Sequence, residues 1–370
     1  MIREKEGTFS ATLPFIRTIE ELSSYISLDK EAREEIEKTS RFYPFKIPEF
    51  YIDLMEKDNP LCPIRKQALP SIEELSGDGH IDPLNEEGSL ITPSFIKRYL
   101  KRGVFLVNSE CAMYCRFCNR KRLAGKGWDP GEFREDTLEY LKRNDEIDEV
   151  IISGGDPFML PYDELGDTLS RLKAIHRVKI IRISTRVPVV YPDGLSRGHL
   201  SALKKASPVW IVIHINHPKE ISPEFTGVVK KLREAGVVIV SQTVLLRGVN
   251  DCPHILTVLF KSLVYQGIKP YYLFQLDEVE GAGHFKVKLE KGIQIMRYLR
   301  EHSSGLAIPQ YALDITGGLG KVPVDYKYIR KKNGNKIFVE GLSGQTGIYT
   351  DNGKKSKCLK CGVCSKTAKG

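Results

Sequence analysis

Six short apolar runs, with amphipathic segments between them, set the outer limits of what this chain can fold into. The runs are Gly103–Asn108, Asp148–Ser153, Lys179–Thr185, Val209–Ile215, Val237–Val244 and Pro270–Asp277. The first five are rich in Val or Ile, the sixth in Tyr, Phe and Leu, and each has the length of a strand buried on both faces. The segments between them carry helical periodicity: Asp136–Arg143, Tyr162–Ile175, Gly198–Ala206, Pro223–Ala235 and Ile255–Gly267. Such alternation predicts an α/β fold with a parallel sheet, curled into a partial (βα)6 TIM-like barrel or left open. Functional groups in these folds gather at the carboxyl ends of the strands. The flanks read differently. Residues 1–95 hold short helical patterns, such as Thr18–Ser27 and Lys30–Thr39, broken at Asn59-Pro60 and at Leu69-Pro70-Ser71. They are expected to form a helical N-terminal subdomain. Residues 96–325 would hold the barrel, ending in a helix at Gly292–His302 and a strand-like run at Ala307–Asp314. Residues 326–370 read as a hairpin, Lys336–Glu340 with Gln345–Tyr349, and a basic tail.

At 370 residues the chain can bury one large core with appended pieces. No apolar run approaches the roughly 20 residues that cross a bilayer. The N-terminus, MIREKEGTFS, lacks the apolar centre of a signal peptide. A cytoplasmic protein without a membrane partner is expected. The net charge of +9 raises the question of nucleic acid. The basic residues are dispersed, however, with local clusters at 97–102, 116–122, 328–336 and 354–369. The first two flank a cysteine-rich stretch and suit anion binding in a site; the last two suit solvated surface. No nucleic-acid partner is expected.

That stretch is Cys111-Ala-Met-Tyr-Cys115-Arg-Phe-Cys118. Six of the eight cysteines fall into two tight triplets, 111, 115 and 118 and then 358, 361 and 364, with Cys62 and Cys252 apart. In a reducing compartment triplets mean metal ligation rather than disulfides. Soft thiolates select zinc or iron–sulfur. Three local thiols leave one metal position open, whereas a structural zinc is closed by a fourth ligand. A cubane with one open iron is the sharper reading of Cys111, Cys115 and Cys118; a zinc completed by a distant residue is the other. Cys62 reads as a buried or idle thiol.

The spacing C-x3-C-x2-C resembles the signature of radical S-adenosylmethionine enzymes. The continuation through Arg116, Asn119, Arg120, Lys121 and Arg122 narrows the resemblance to the lysine 2,3-aminomutase family, whose motif runs C-S-M-Y-C-R-H-C-T-R-R. The resemblance extends from about residue 60 to residue 364. It implies a [4Fe-4S] cluster on the three cysteines, S-adenosylmethionine, and pyridoxal 5'-phosphate as a further cofactor. It also implies an electron donor such as flavodoxin or ferredoxin. Electron transfer to the sulfonium would release a radical that abstracts an unactivated hydrogen, with the protein binding, orienting and excluding water. Gly154-Gly155-Asp156 follows the second apolar run, where the family contacts the methionyl amino group. Alone, such a triplet marks a turn, and its glycines allow close backbone approach. The resemblance also places Arg186, His214 and Gln242 near the adenosylmethionine. Any one polar group at a strand end is more often a satisfied core residue.

Lys321 follows the glycine-rich Thr316-Gly-Gly-Leu-Gly320, as does the family lysine that binds pyridoxal phosphate covalently. Arg98, Tyr99 and Arg102 match positions that hold its phosphate. Arg120 would pair with the substrate α-carboxylate, a bidentate match for a guanidinium. Asp277 and Asp314, each ending a strand-like run, would select a terminal ammonium, because two carboxylates in one dry pocket call for a cation. The implied reaction is the interconversion of L-lysine and L-β-lysine. Alternatives are the same migration on another amino acid or on protein-bound lysine, and a non-enzymatic iron–sulfur or zinc RNA-binding protein. Phe117 and Phe274 stand where relatives have His or Tyr, and Tyr. In the family a body cysteine, here Cys252 in Asn250-Asp251-Cys252, joins tail cysteines on zinc and comes from another subunit. Cys358, Cys361 and Cys364 would supply the rest, in a homodimer or homotetramer, although the tail spacing departs from the family's. A second iron–sulfur cluster is the rival for this triplet.

Overall fold

The computed structural model describes residues 15–353 apart from 126 and 128. Residues 15–325 belong to one compact unit and residues 326–353 to another.

The first unit is built on a sheet of ten strands. Seven of them run parallel and in chain order: β1 (Arg102–Leu106), β2 (Glu149–Ser153), β3 (Ile180–Thr185), β4 (Trp210–His214), β5 (Val238–Leu245), β6 (Lys269–Gln275) and β7 (Gln310–Ile315). An antiparallel strand, β8 (Gly320–Pro323), closes one edge against β7. Two short antiparallel strands, Leu90–Thr92 and Phe95–Ile96, extend the other. The sheet therefore begins a few residues before the boundary expected at 95/96, and the N-terminal helices share the barrel's compact unit. The ends of the sheet do not pair, so the barrel is partial. A seventh parallel strand follows the six whose apolar runs are plainest.

The crossovers are α1 (Arg134–Arg143), α2 (Tyr162–Ala174), α3 (Arg197–Ala206), α4 (Pro223–Glu234), α5 (Pro253–Tyr265) and α6 (Leu289–His302). Their starts follow local chemistry. Ser196 and Ser222 cap α3 and α4 through backbone N–H groups, and Pro occupies the first turn of α4 and α5. Alternation along the strands sorts the two faces of the sheet. Phe105, Ile152, Ile183, Ile211 and Leu273 are buried in the hydrophobic core. The alternate positions Val104, Ile151, Ser184, Val212 and Gln242 line an interior cavity. The register aligns them strand by strand: Phe105 opposite Ile152, Ile152 opposite Ile183, Ile183 opposite Ile211. Among the described residues no helix is long and apolar enough to cross a membrane.

The second unit is a three-stranded antiparallel sheet: Ile329–Asn333, Lys336–Glu340 and Thr346–Thr350. The hairpin expected from sequence is its second and third strands. Cys358, Cys361 and Cys364 lie outside the described residues.

Candidate active site

The loop after β1 carries Cys111, Cys115 and Cys118, all free thiols. Its course is set by partners on three sides. Val107 N–H donates to Ser153 O (3.0 Å), Tyr114 N–H to Lys46 O (3.0 Å) and Arg116 N–H to Gln67 O (3.0 Å). Arg116 is buried and grips Glu74 through Nε (2.9 Å) and Nη2 (2.6 Å), and it also donates to Pro44 O and Tyr43 O. Lys121 reaches the same Glu74 carboxylate and the Gly281 carbonyl. Burial drags the Lys121 ammonium down to about 8, against the pull of Glu74. The sequence marked these cations as anion binders; the anion proves to be an internal carboxylate.

Burial, and then neighbouring thiols, raise the Cys111 and Cys118 thiols, Cys118 to about 11. Cys111 and Cys118 held this way ionise readily only if a cation arrives, and with Cys115 on the same loop the donor set fits a metal cluster. Among the described residues no three His, Cys, Asp or Glu side chains converge as on a single metal ion. A cubane does not require that, since each thiolate binds a different iron.

Gly154-Gly155-Asp156 packs against the cysteine loop. A Cβ on Gly155 would lie 2.1 Å from Glu110 O, and one on Gly154, whose φ is +129°, 2.3 Å from Asn108 O. The glycines let this turn press on the backbone that leads into the cysteines. Gly155 N–H donates to Asn108 O (2.7 Å) and Asp156 N–H to Glu110 O (2.7 Å). The buried Asp156 carboxylate accepts from Thr185 Oγ1 (2.8 Å) and from the N–H groups of Phe158, Arg186 and Val187. Burial raises its pKa in spite of those donors. Asp156 thus ties the turn after β2 to the end of β3.

Arg186 is also buried. Its Nη1 donates to Cys115 Sγ (2.8 Å), while Nη2 serves Gln67 Oε1 (2.7 Å), Glu220 Oε1 (2.7 Å) and Tyr51 Oη (3.2 Å). Burial opposes its charge, but Cys115, Tyr51 and Glu220 together hold it above its ordinary value. Gln67, Glu220 and Tyr51 escape a sequence reading, because nothing in their local pattern links residues so far apart in the chain.

In front of this wall lies a cavity of about 280 Å³. Cys115, Cys118 and Arg120 line one side; His214 and Gln242 line another; Asp277, Asp314 and Lys321 complete it. Neither Arg186 nor the Gly-Gly-Asp turn lines it. Burial and then Arg186 push the His214 imidazole down to about 3, so it is neutral, bonded to Asn216 and tilted against Phe117 with centroids 5.4 Å apart.

Lys321 and the two carboxylates meet through strand register. Asp314 on β7 stands opposite Lys321 on β8. Lys321 Nζ lies 3.3 Å from Asp314 Oδ2 and 4.6 Å from the Phe274 ring centroid. Asp314 Oδ1 is buried without a hydrogen-bond partner, 3.9 Å from Arg98 Nη2. Burial, and next the Asp314 charge, push Asp277 up to about 7 although Lys321 and Arg98 oppose it.

A second cavity of about 130 Å³ continues down the barrel interior and shares Arg98, Gln242 and Lys321 with the first. Arg102 and Tyr99 line it, the guanidinium 4.0 Å from the Tyr99 ring centroid, and Tyr99 Oη accepts the Lys321 N–H (3.0 Å). Arg102 opens β1, so this part of the site lies toward the amino ends of the strands, whereas the cysteine loop follows their carboxyl ends. Arg182 lines the same cavity and went unnoticed in the sequence. Its signal was available: it occupies an interior position two residues from Ser184 in an otherwise Ile-rich strand.

Arg120 departs most from expectation. Its fork is already occupied by Glu86, through Nε (2.9 Å) and Nη2 (2.8 Å). Burial opposes ionisation of Glu86, yet Arg120 and Arg122 keep its pKa below the usual value. Cys252 precedes α5, half-buried, with a free thiol.

Residues 106–259 match the profile of the radical SAM superfamily, and residues 296–367 match that of lysine-2,3-aminomutase. The chain is 42% identical to a putative L-lysine 2,3-aminomutase of Aquifex aeolicus, over 90% of this chain and 92% of the relative. It is 37% identical to the L-lysine 2,3-aminomutase of Acetoanaerobium sticklandii, over 95% and 86%. A glutamate 2,3-aminomutase of Clostridioides difficile is 34% identical, over 89% and 79%.

Proposed function

The chain belongs to the lysine 2,3-aminomutase family of radical S-adenosylmethionine enzymes, and on that premise we propose how its cavity serves the reaction. The enzyme is an isomerase that moves the amino group of L-lysine between C2 and C3, giving L-β-lysine. Asp277 and Asp314 carry the choice of lysine, because one is unpartnered at an oxygen and the other is held near 7 by repulsion that an ammonium would relieve. Glutamate, the substrate in the name of one relative, would bring a third carboxylate to these two, which favours lysine in this reading.

Cys111, Cys115 and Cys118 would hold the [4Fe-4S] cluster, with Arg186 donating to Cys115 and stabilising its thiolate. His214 and Gln242 line the same cavity as Cys115 and Cys118 and would meet adenosylmethionine there. Gly154, Gly155 and Asp156 hold the cysteine loop in place from behind. Lys321 would bind pyridoxal 5'-phosphate covalently, with Arg98, Tyr99, Arg102 and Arg182 supplying cations and a hydroxyl for the phosphate in the narrower cavity. When bound, these groups supply an electron, a hydrogen-abstracting radical and stabilisation of the migrating nitrogen. Arg120 would tether the α-carboxylate within the same cavity as the cluster thiols. The substrate is a small molecule, and the electron comes from a donor of the flavodoxin or ferredoxin kind. Cys252 with Cys358, Cys361 and Cys364 would form a zinc site joining subunits of a homodimer or homotetramer.

The carrying observation is the convergence of Lys321, Asp277 and Asp314 with Cys115 and Cys118 on one cavity. Incubating anaerobically purified protein with L-lysine, adenosylmethionine and dithionite tests it. β-Lysine is the expected product; β-glutamate from glutamate, with no β-lysine from lysine, would overturn the assignment.

A further inference from the structure

Residues 78–89 form a strap that touches the cluster loop, the loop after β6 and the turn before Lys321. His80 pairs with the loop after β6: its N–H donates to Glu278 O (2.7 Å), and its carbonyl accepts from Glu280 N–H (3.0 Å). Gly317 N–H donates to Pro83 O (2.8 Å), and Arg98 Nη1 donates to Leu84 O (3.3 Å). Arg122, beyond the cluster motif, reaches Asp82 (3.4 Å) and Glu87 (3.1 Å). Glu86 sits in the middle of this strap, only 5% exposed, and lines the cavity beside Arg120.

The donors of Arg120 can be counted. A guanidinium has five N–H groups. Nε and one Nη2 hydrogen go to Glu86. Nη1 donates to Ser153 Oγ (3.0 Å) and to Gly154 O (3.3 Å). A single Nη2 hydrogen is left for anything that enters the cavity. The sequence-level picture of a two-pronged grip on the substrate is therefore closed off by the protein's own carboxylate.

We propose that Glu86 is a positioning residue for the substrate: it holds the Arg120 guanidinium by one edge, so that a single Nη2 hydrogen is presented to the α-carboxylate. The inference rests on the reading of Arg120 as the carboxylate's partner. One charge-assisted bond from a fixed guanidinium sets direction, while the internal carboxylate removes most of the net charge that would otherwise retain product. The strap makes the arrangement conditional on Lys321's turn and the loop after β6 being in place, since the same dozen residues touch all three.

The test is calorimetric titration of pyridoxal phosphate-loaded, cluster-containing enzyme, without adenosylmethionine. L-Lysine is compared with 1,5-diaminopentane, which is lysine without its carboxylate. The ratio of the two affinities isolates the carboxylate contact. Arg120→Gln should collapse the ratio; if it does not, Arg120 is not the partner and the underlying reading fails. Glu86→Gln should lower the ratio by at least about tenfold, the loss of one well-aligned bond to a charged group. Iron content and melting temperature serve as controls. If Arg120→Gln collapses the ratio while Glu86→Gln leaves it unchanged or raises it, Glu86 is a bystander or a competitor and the proposal is overturned. Glu86→Asp keeps the charge but withdraws it by one methylene. It carries the same expectation should the Gln variant not accumulate, and a wild-type ratio in it would likewise overturn the proposal.

Discussion

Asp277, in the role proposed for it, would carry specificity and instability together. Its carboxyl titrates near 7 because burial and Asp314 disfavour its charge. A lysine ammonium favours that charge, so binding below pH 7 must release a proton. Lysine affinity should fall as pH drops through about 7, approaching tenfold per unit. Asp277→Asn should flatten this dependence and weaken lysine binding, as titration across pH 5.5–8.5 would show. The folded pKa lies above the unfolded value of about 3.9, so the unfolded state binds fewer protons between the two and stability falls as pH rises through that window. The same Asn variant should therefore melt higher than the parent at pH 8 in the absence of lysine. A melting point at or below the parent's would contradict the assigned environment. Lys321→Ala should abolish borohydride trapping of pyridoxal phosphate on the peptide containing residue 321, and retained trapping there would place the covalent link elsewhere.

The cysteine loop, with no regular structure of its own, is held by elements around it. The turn after β2 supports it from one side, through contacts too close for any side chain at Gly155. Gly155→Ala must push two backbones apart, at a cost of about 1–3 kcal/mol. The melting temperature and the iron bound per chain should fall together; an unchanged iron content would mean the loop is held without this contact. From the other side, Glu74 answers both Arg116 and Lys121 in the buried interior. Glu74→Gln leaves two buried cations facing a neutral amide, and a broken buried pair costs about 3–5 kcal/mol. Denaturant unfolding reads this directly. A loss below about 1 kcal/mol would show that the loop relaxes to water instead.

The whole molecule divides at residue 325, and every described residue of the cluster and substrate cavities lies in the first unit. A chain ending at residue 325 is expected to fold cooperatively and bind iron and pyridoxal phosphate in the proportions of the full chain. It should lack the zinc that the full chain would carry on Cys252 and the tail cysteines. Elemental analysis of both proteins decides this, and equal zinc in the two would remove the proposed tail site.

What was legible in the sequence had a local cause. Apolar runs between amphipathic segments mark the strands and crossovers of a parallel sheet, because the periodicity of an element is set by neighbours in the chain. Cys111, Cys115 and Cys118 are close in sequence, so their spacing alone places them on one loop. Lys321 is marked by the glycines before it. Tertiary structure decided what lies between distant segments. It set Asp314 opposite Lys321 through the turn into β8, buried Glu74 beneath Arg116 and Lys121, and led the Gly-Gly-Asp turn to the back of the cysteine loop. It also gave Arg120 to Glu86. Charge pairing across dozens of residues leaves no periodic trace, so a chain can advertise its cations while concealing the carboxylates that have already claimed them.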